Sequence, residues 1–155
     1  MKKIGLKLLA CLGLIGVMAV TQVWAQPGAG MGGGRGQGWG AQDTYGRMFN
    51  PKTVEKLTGE VVSVETFTPG KGMSSGTHIT IKTDRETIPV HLGPNWFMQE
   101  QGLTLAPKEK VMITGARITY QGKPAIVASE VTKDDRVWNL RDATGMPRWA
   151  GQGRR

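Results

Sequence analysis

HITIKTDRETIPVHLGPNWFMQEQG, His78 to Gly102, changes its hydrophobic period partway along, and that change decides the fold. HITIKT (His78 to Thr83) sets Ile79 and Ile81 on one face against His78, Thr80 and Lys82 on the other. IPVHL (Ile88 to Leu92) repeats the alternation, with Ile88, Val90 and Leu92 apolar and His91 opposed to them. A period of two marks a half-buried strand, and the Asp84-Arg85-Glu86 segment between the runs suits a short hairpin. Gly93-Pro94 then breaks the alternation. NWFMQEQG (Asn95 to Gly102) is predicted to form about two helical turns, with Pro94 at the first turn and Gly102 as the stop.

Outward from this stretch the pattern stays β. LTGEVVSVETF (Leu57 to Phe67) is a Val-rich strand that ends in the turn-forming TPGKGMSSG. KVMITGARITY (Lys110 to Tyr120) is a long strand with Gly115 in its middle, which marks a bulge or bend. A turn at QGK leads to a fifth strand, PAIVASEV (Pro124 to Val131). Five strands with a helix between the third and fourth is the element order of an OB-fold. The expected fold is therefore an all-β, five-stranded OB-fold-like barrel within residues 57–149. A sandwich calls for more strands. VWNLRDATGMPRWAGQG (Val137 to Gly153) is expected to fold over the barrel as a hairpin-like extension, Trp138 and Leu140 inward. Arg141 and Asp142, adjacent in the chain, then point to opposite faces.

The chain begins differently. A basic start (Met1 to Lys7), an apolar run (Leu8 to Val20) and Val23-Trp24-Ala25 form a secretory signal, with cleavage expected after Ala25. The apolar run is shorter than a membrane span. The expected location is the periplasm or the exterior. Cys11, the single cysteine, lies in this segment, so the mature chain has no disulfide, thiol nucleophile, thiolate site or C-x-x-C-H haem attachment. Removing Lys2, Lys3 and Lys7 takes three from the formal net charge of +8. Residues 26–56 are a glycine-rich linker and a transition, with a helical turn expected after Asn50-Pro51. Arg136, Arg141, Arg148, Arg154 and Arg155 make the C-terminal end basic, suited to an acidic partner or an anionic surface; residues 150–155 form the tail.

TGEVVSVE, VHLGPNWF, VMITGARITYQGKPAIVASEV and LRDATGMPRW together resemble small exported bacterial OB-fold-like proteins similar to the magnetosome-associated MamS/MamX domain. The resemblance covers Leu57 to Trp149. It implies a barrel that works beside metal-handling or redox proteins without catalysis of its own. The chain lacks the haem motifs of the MamX type.

Three candidate sites emerge. OB-folds stack single-stranded nucleic acid on aromatics of strands two and three, but those strands hold no Phe, Tyr or Trp here, so nucleic acid is not the expected partner. Pairing Ile81 with Val90 and Ile79 with Leu92 places His91 opposite Thr80 and His78 diagonal to it. The two imidazoles, with Met73 in the preceding loop, are candidate ligands for Cu, Zn or Ni. The third site is a contact surface for a periplasmic or membrane-associated protein. Either Trp96 or Phe97 is expected to plug the barrel, leaving the other exposed with Met98; Trp138, Arg141 and Trp149 extend the surface along the tail. No paired carboxylates and no nucleophile elbow occur, so an enzyme is not expected.

Overall fold

The structure is a computed structural model that describes residues 47–68 and 74–152. The signal segment, residues 26–46 of the linker, Met73, Arg154 and Arg155 lie outside the described residues. Asn50 accepts a hydrogen bond from the Lys52 amide at 2.9 Å and starts a 3-10 turn over Pro51–Thr53. Six strands and one helix follow: β1 (Val54–Phe67), β2 (Gly76–Lys82), β3 (Thr87–Pro94), α1 (Asn95–Glu100), β4 (Lys110–Tyr120), β5 (Lys123–Lys133) and β6 (Arg136–Asn139). β1 starts at Val54, earlier than the Leu57 read from hydrophobicity, because its first turns of alternation are half exposed.

The hydrogen-bonded order is β3-β2-β1-β4-β5-β6, and β3 also pairs with β5 in parallel through Val90–Ile126 and His91–Val127. That pairing closes five strands into the expected OB-type barrel. β1 serves two partners in succession, β4 from Val54 to Glu60 and β2 from Glu60 to Phe67. A bulge between Val61 and Ser63 lets it turn from one to the other while Val61 and Val64 both stay opposite inward residues, Ile81 and Ile79. The interior is filled by Val61, Ile79, Ile81, Ile88, Val90, Leu92, Ile113, Ile126 and Val131, all at most 1% exposed. Phe97 of α1, at 2%, plugs one end; Trp96 beside it is only partly buried.

The β2–β3 register corrects the expected one. The Thr83 hydroxyl accepts from the amides of Arg85 and Glu86 at 3.2 and 3.0 Å, and the Thr83 amide donates to the Glu86 carbonyl at 2.8 Å. This tight turn pairs Lys82 with Thr87, and the ladder then runs Ile81–Ile88 and Ile79–Val90. Turn geometry, rather than hydrophobicity, sets the register. His78 consequently sits directly opposite His91.

The extension folds back as expected. The β4–β5 and β5–β6 turns place Gln121-Gly122 and Asp134-Asp135 at positive φ, the geometry that matches strand twist in two-residue hairpins. After β6, Leu140 is fully buried and Asp142 accepts from the Thr144 hydroxyl and amide and the Met146 amide, folding ATGMP into a turn. Arg141 is only 5% exposed. Its guanidinium lies 5.0 Å from the Trp149 ring and 5.9 Å from that of Phe49, and donates to the Gly145 carbonyl at 3.1 Å. Trp149 in turn covers Gly93, where an added Cβ would come within 2.6 Å of the indole. The Leu-Gly-Pro element of β3 and the terminal Trp therefore form one contact.

Gly115 has the same kind of role at the seam. Its Cβ would meet the Val127 carbonyl oxygen at 2.5 Å and the Ile126 side chain at 2.6 Å, where β4 shifts register against β5. Gly115→Val is expected to destabilise the barrel by about 1–3 kcal/mol through overpacking, read from urea unfolding. The same change at exposed Thr58 is expected to alter stability by less than about 0.5 kcal/mol.

Candidate functional site

The outer face of β2 and β3 holds a cluster that alternation alone does not display. His78 and His91 project from paired positions, with ring centroids 3.8 Å apart and planes at 83°. Phe67, at the end of β1, stacks on His78 at 3.6 Å. Tyr120, at the end of β4, meets His91 edge-on at 4.9 Å. Strand ends that fold over the pair thus cover what the sequence reading takes as exposed imidazoles, and His91 is 4% exposed. Phe67 and Tyr120 escape a reading confined to strands two and three because they come from β1 and β4. The odd-numbered outward positions of β1 were the available signal: Glu65 and Phe67 share a face, and Glu65 pairs with His78.

Burial sets the chemistry of the pair. It pushes the His78 imidazole down to about 4, with the opposing Glu65 carboxylate working the other way. For His91 burial and then the neighbouring His78 push the value down to about 3. Both rings are neutral near pH 7, the form that offers a nitrogen lone pair. The Nε2 atom of His78 is buried with no hydrogen-bond partner among the described residues. Among the described residues no three His, Cys, Asp or Glu side chains come together as a metal-binding group.

A second feature lies where β1 leaves β4. Beyond Glu60 the strand keeps β2 on one side, and on the other an open groove of about 280 Å³ appears. Leu92, Met98, Leu103 and Leu105 supply its apolar lining, and Val64 and Thr66 of β1 form one wall. Val64 is 40% exposed and its neighbour Val62 49%. Asn95, anchored by Thr77 and Ser75 through side-chain hydrogen bonds, stands at the rim.

The residues expected to form a contact surface are divided by the fold. Phe97, Trp138, Arg141 and Trp149 are buried and do not present an exposed face, because α1 plugs the barrel and the extension packs over it. Trp138 also donates from its indole to the Gln101 carbonyl at 3.0 Å. Met98 is 4% exposed, yet it reaches the groove lining. Trp96 remains partly exposed, packed edge-on to Phe97 at 5.9 Å. The structure brings His78 and His91 together and leaves Trp96 apart from both.

Against known proteins, the profile of the MamS/MamX magnetosome protein family matches residues 53–138, which span β1 to β5, α1 and β6 up to Trp138. No curated protein matches the chain.

The buried pair makes stability depend on pH. Unfolded imidazoles titrate near 6.5 and the folded ones well below, so the unfolded chain binds more protons in the interval. Stability is therefore full above about pH 7 and falls on acidification, by up to about 1.4 kcal/mol per pH unit for each histidine. Glu86 and Glu109, held low by hydrogen bonds from Arg117 and Lys133, lose their contributions only below about 4.5. Urea unfolding between pH 7 and 5 is expected to show the decline in the wild type and a flatter profile in His91→Leu. An identical slope in both would mean that the imidazoles are not the titrating groups.

Proposed function

The chain belongs to the MamS/MamX magnetosome protein family, and from that premise we propose that it is a non-catalytic accessory module, exported and held at a magnetosome by contact with a partner protein. The observation that carries this reading is the groove beside the second half of β1. A recess lined by both apolar and polar side chains, with an adjoining strand edge, is suited to an extended polypeptide. Among the described residues, β1 from Ser63 to Phe67 is paired with β2 alone, and Val64 and Thr66 of that stretch line the groove. Val64 and the half-buried Leu105 are the accessible apolar members of the lining, with Leu92, Met98 and Leu103 beneath them.

The partner is thus a protein strand with every second residue apolar. Its ladder bonds give register, and the leucine-lined recess gives selectivity. Export fits a module that meets membrane-associated proteins of the compartment.

A tagged chain expressed in a magnetosome-forming bacterium is expected to co-purify with the magnetosome fraction. Val64→Glu places an uncompensated charge in the groove wall at a position already 40% exposed, where the barrel tolerates it. That variant is expected to keep the wild-type circular dichroism spectrum and to fall out of the magnetosome fraction by tenfold or more. Retention of Val64→Glu at the wild-type level overturns the groove as the point of attachment. A wild-type chain found solely in bulk periplasm overturns the accessory reading itself.

A further inference from the structure

We propose that His78 and His91 form a monovalent-copper site on the outer face of the barrel, independent of the groove that holds the partner. The geometry supplies the first argument. Two imidazoles project from paired positions on adjacent strands, their centroids 3.8 Å apart and their planes nearly perpendicular. Nitrogen–metal bonds of about 2.0–2.1 Å require little more than rotation of the two rings about their side-chain torsions. The strand ladder fixes both Cα positions, so the donors are held near one another before any ion arrives.

The surroundings select the ion. Phe67 stacks on one ring and Tyr120 abuts the other, which makes the site apolar on two sides. The Born cost of placing an ion in such a setting rises with the square of its charge, so a dication costs about four times as much as a monocation. Zinc and nickel also seek four or more donors, and the described residues provide no third member of a His, Cys, Asp or Glu group. Monovalent copper carries the single charge, and imidazole nitrogen is among the donors that suit copper. Glu65, directly across from His78, supplies one negative charge, which balances one positive charge and not two.

The site differs from the three-ligand arrangement anticipated from the sequence, in which Met73 is included. Met73 lies outside the described residues; the two imidazoles are the ligands, and Glu65 lends its charge without being one.

The test uses the purified protein with Cu(I), supplied anaerobically as its acetonitrile complex and titrated against a coloured Cu(I) chelator. One equivalent is expected to bind, with nitrogen neighbours in the copper X-ray absorption spectrum. His78→Gln and His91→Leu, each checked for a wild-type circular dichroism spectrum, are expected to weaken binding at least a hundredfold. Met73→Leu is expected to leave the affinity within about threefold of wild type. Zn(II) and Ni(II) titrated separately are expected to give no stoichiometric binding. Absence of Cu(I) uptake by the wild type overturns the proposal. Uptake unchanged in the folded histidine variants does so as well, as does tighter binding of Zn(II) than of Cu(I). If a histidine variant is unfolded, proton-nitrogen NMR of the wild-type imidazoles decides instead. Their Nε2 or Nδ1 resonances must shift on Cu(I) addition, and unshifted resonances reject the site.

Discussion

Two residue pairs, Val90 with Ile126 and His91 with Val127, close the barrel, and every other feature of the molecule depends on that short parallel seam. Antiparallel neighbours are assembled by hairpins, whose ends are already close in the chain. A parallel contact between β3 and β5 must instead be reached across α1 and β4, with the loop-closure entropy that such a separation costs. On the β4 side of the same residues, the missing side chain of Gly115 leaves room for Ile126 and Val127. The ion pairs contribute less. Arg117 bonds to Glu55 and Glu86, but these side chains are about a third exposed, which leaves such pairs worth about 0–1 kcal/mol each. Apolar packing across the seam, with Val90 and Ile126 fully buried, is the larger contribution.

The imidazole cluster is a by-product of the same closure. His91 occupies one of the two seam pairs, so its backbone is fixed by β2 on one side and β5 on the other. His78 is fixed by β1 and β3. Groups that are polar, close and neutral do not stabilise a fold in themselves, because burying them costs solvation that stacking on Phe67 and Tyr120 returns only in part. The groove, by contrast, exists because closure is incomplete elsewhere. β1 parts from β4 at Glu60, and nothing in the ladder fills the space up to Leu103–Leu105.

Strand identity, the position of the helix and the bulge at Gly115 were legible because each leaves a mark in local sequence. Alternation, a Gly-Pro break and an isolated glycine in a strand all act over a few residues. The β2–β3 register was not legible. Sliding Ile79 from Leu92 to Val90 leaves every apolar residue on the same face, so hydrophobicity gives both registers the same energy. The difference lies in the hydroxyl of Thr83, which closes the turn, and a threonine in a polar loop has many other uses. Likewise Phe49, Phe67 and Tyr120 reach their partners from distant strands or from before the barrel, and such meetings have no local periodicity. The burial of Arg141 was hidden by its charge. Its two aromatic neighbours are a hundred residues apart in the chain, one before the first strand and one after the last.

That last contact has a mechanical meaning. Phe49 precedes the first strand, Trp149 follows the last, and Arg141 lies against both rings. The chain therefore enters and leaves the barrel at one point. Tension applied through Phe49 and Trp149 would bear on this three-residue contact, which lies outside the strand ladder.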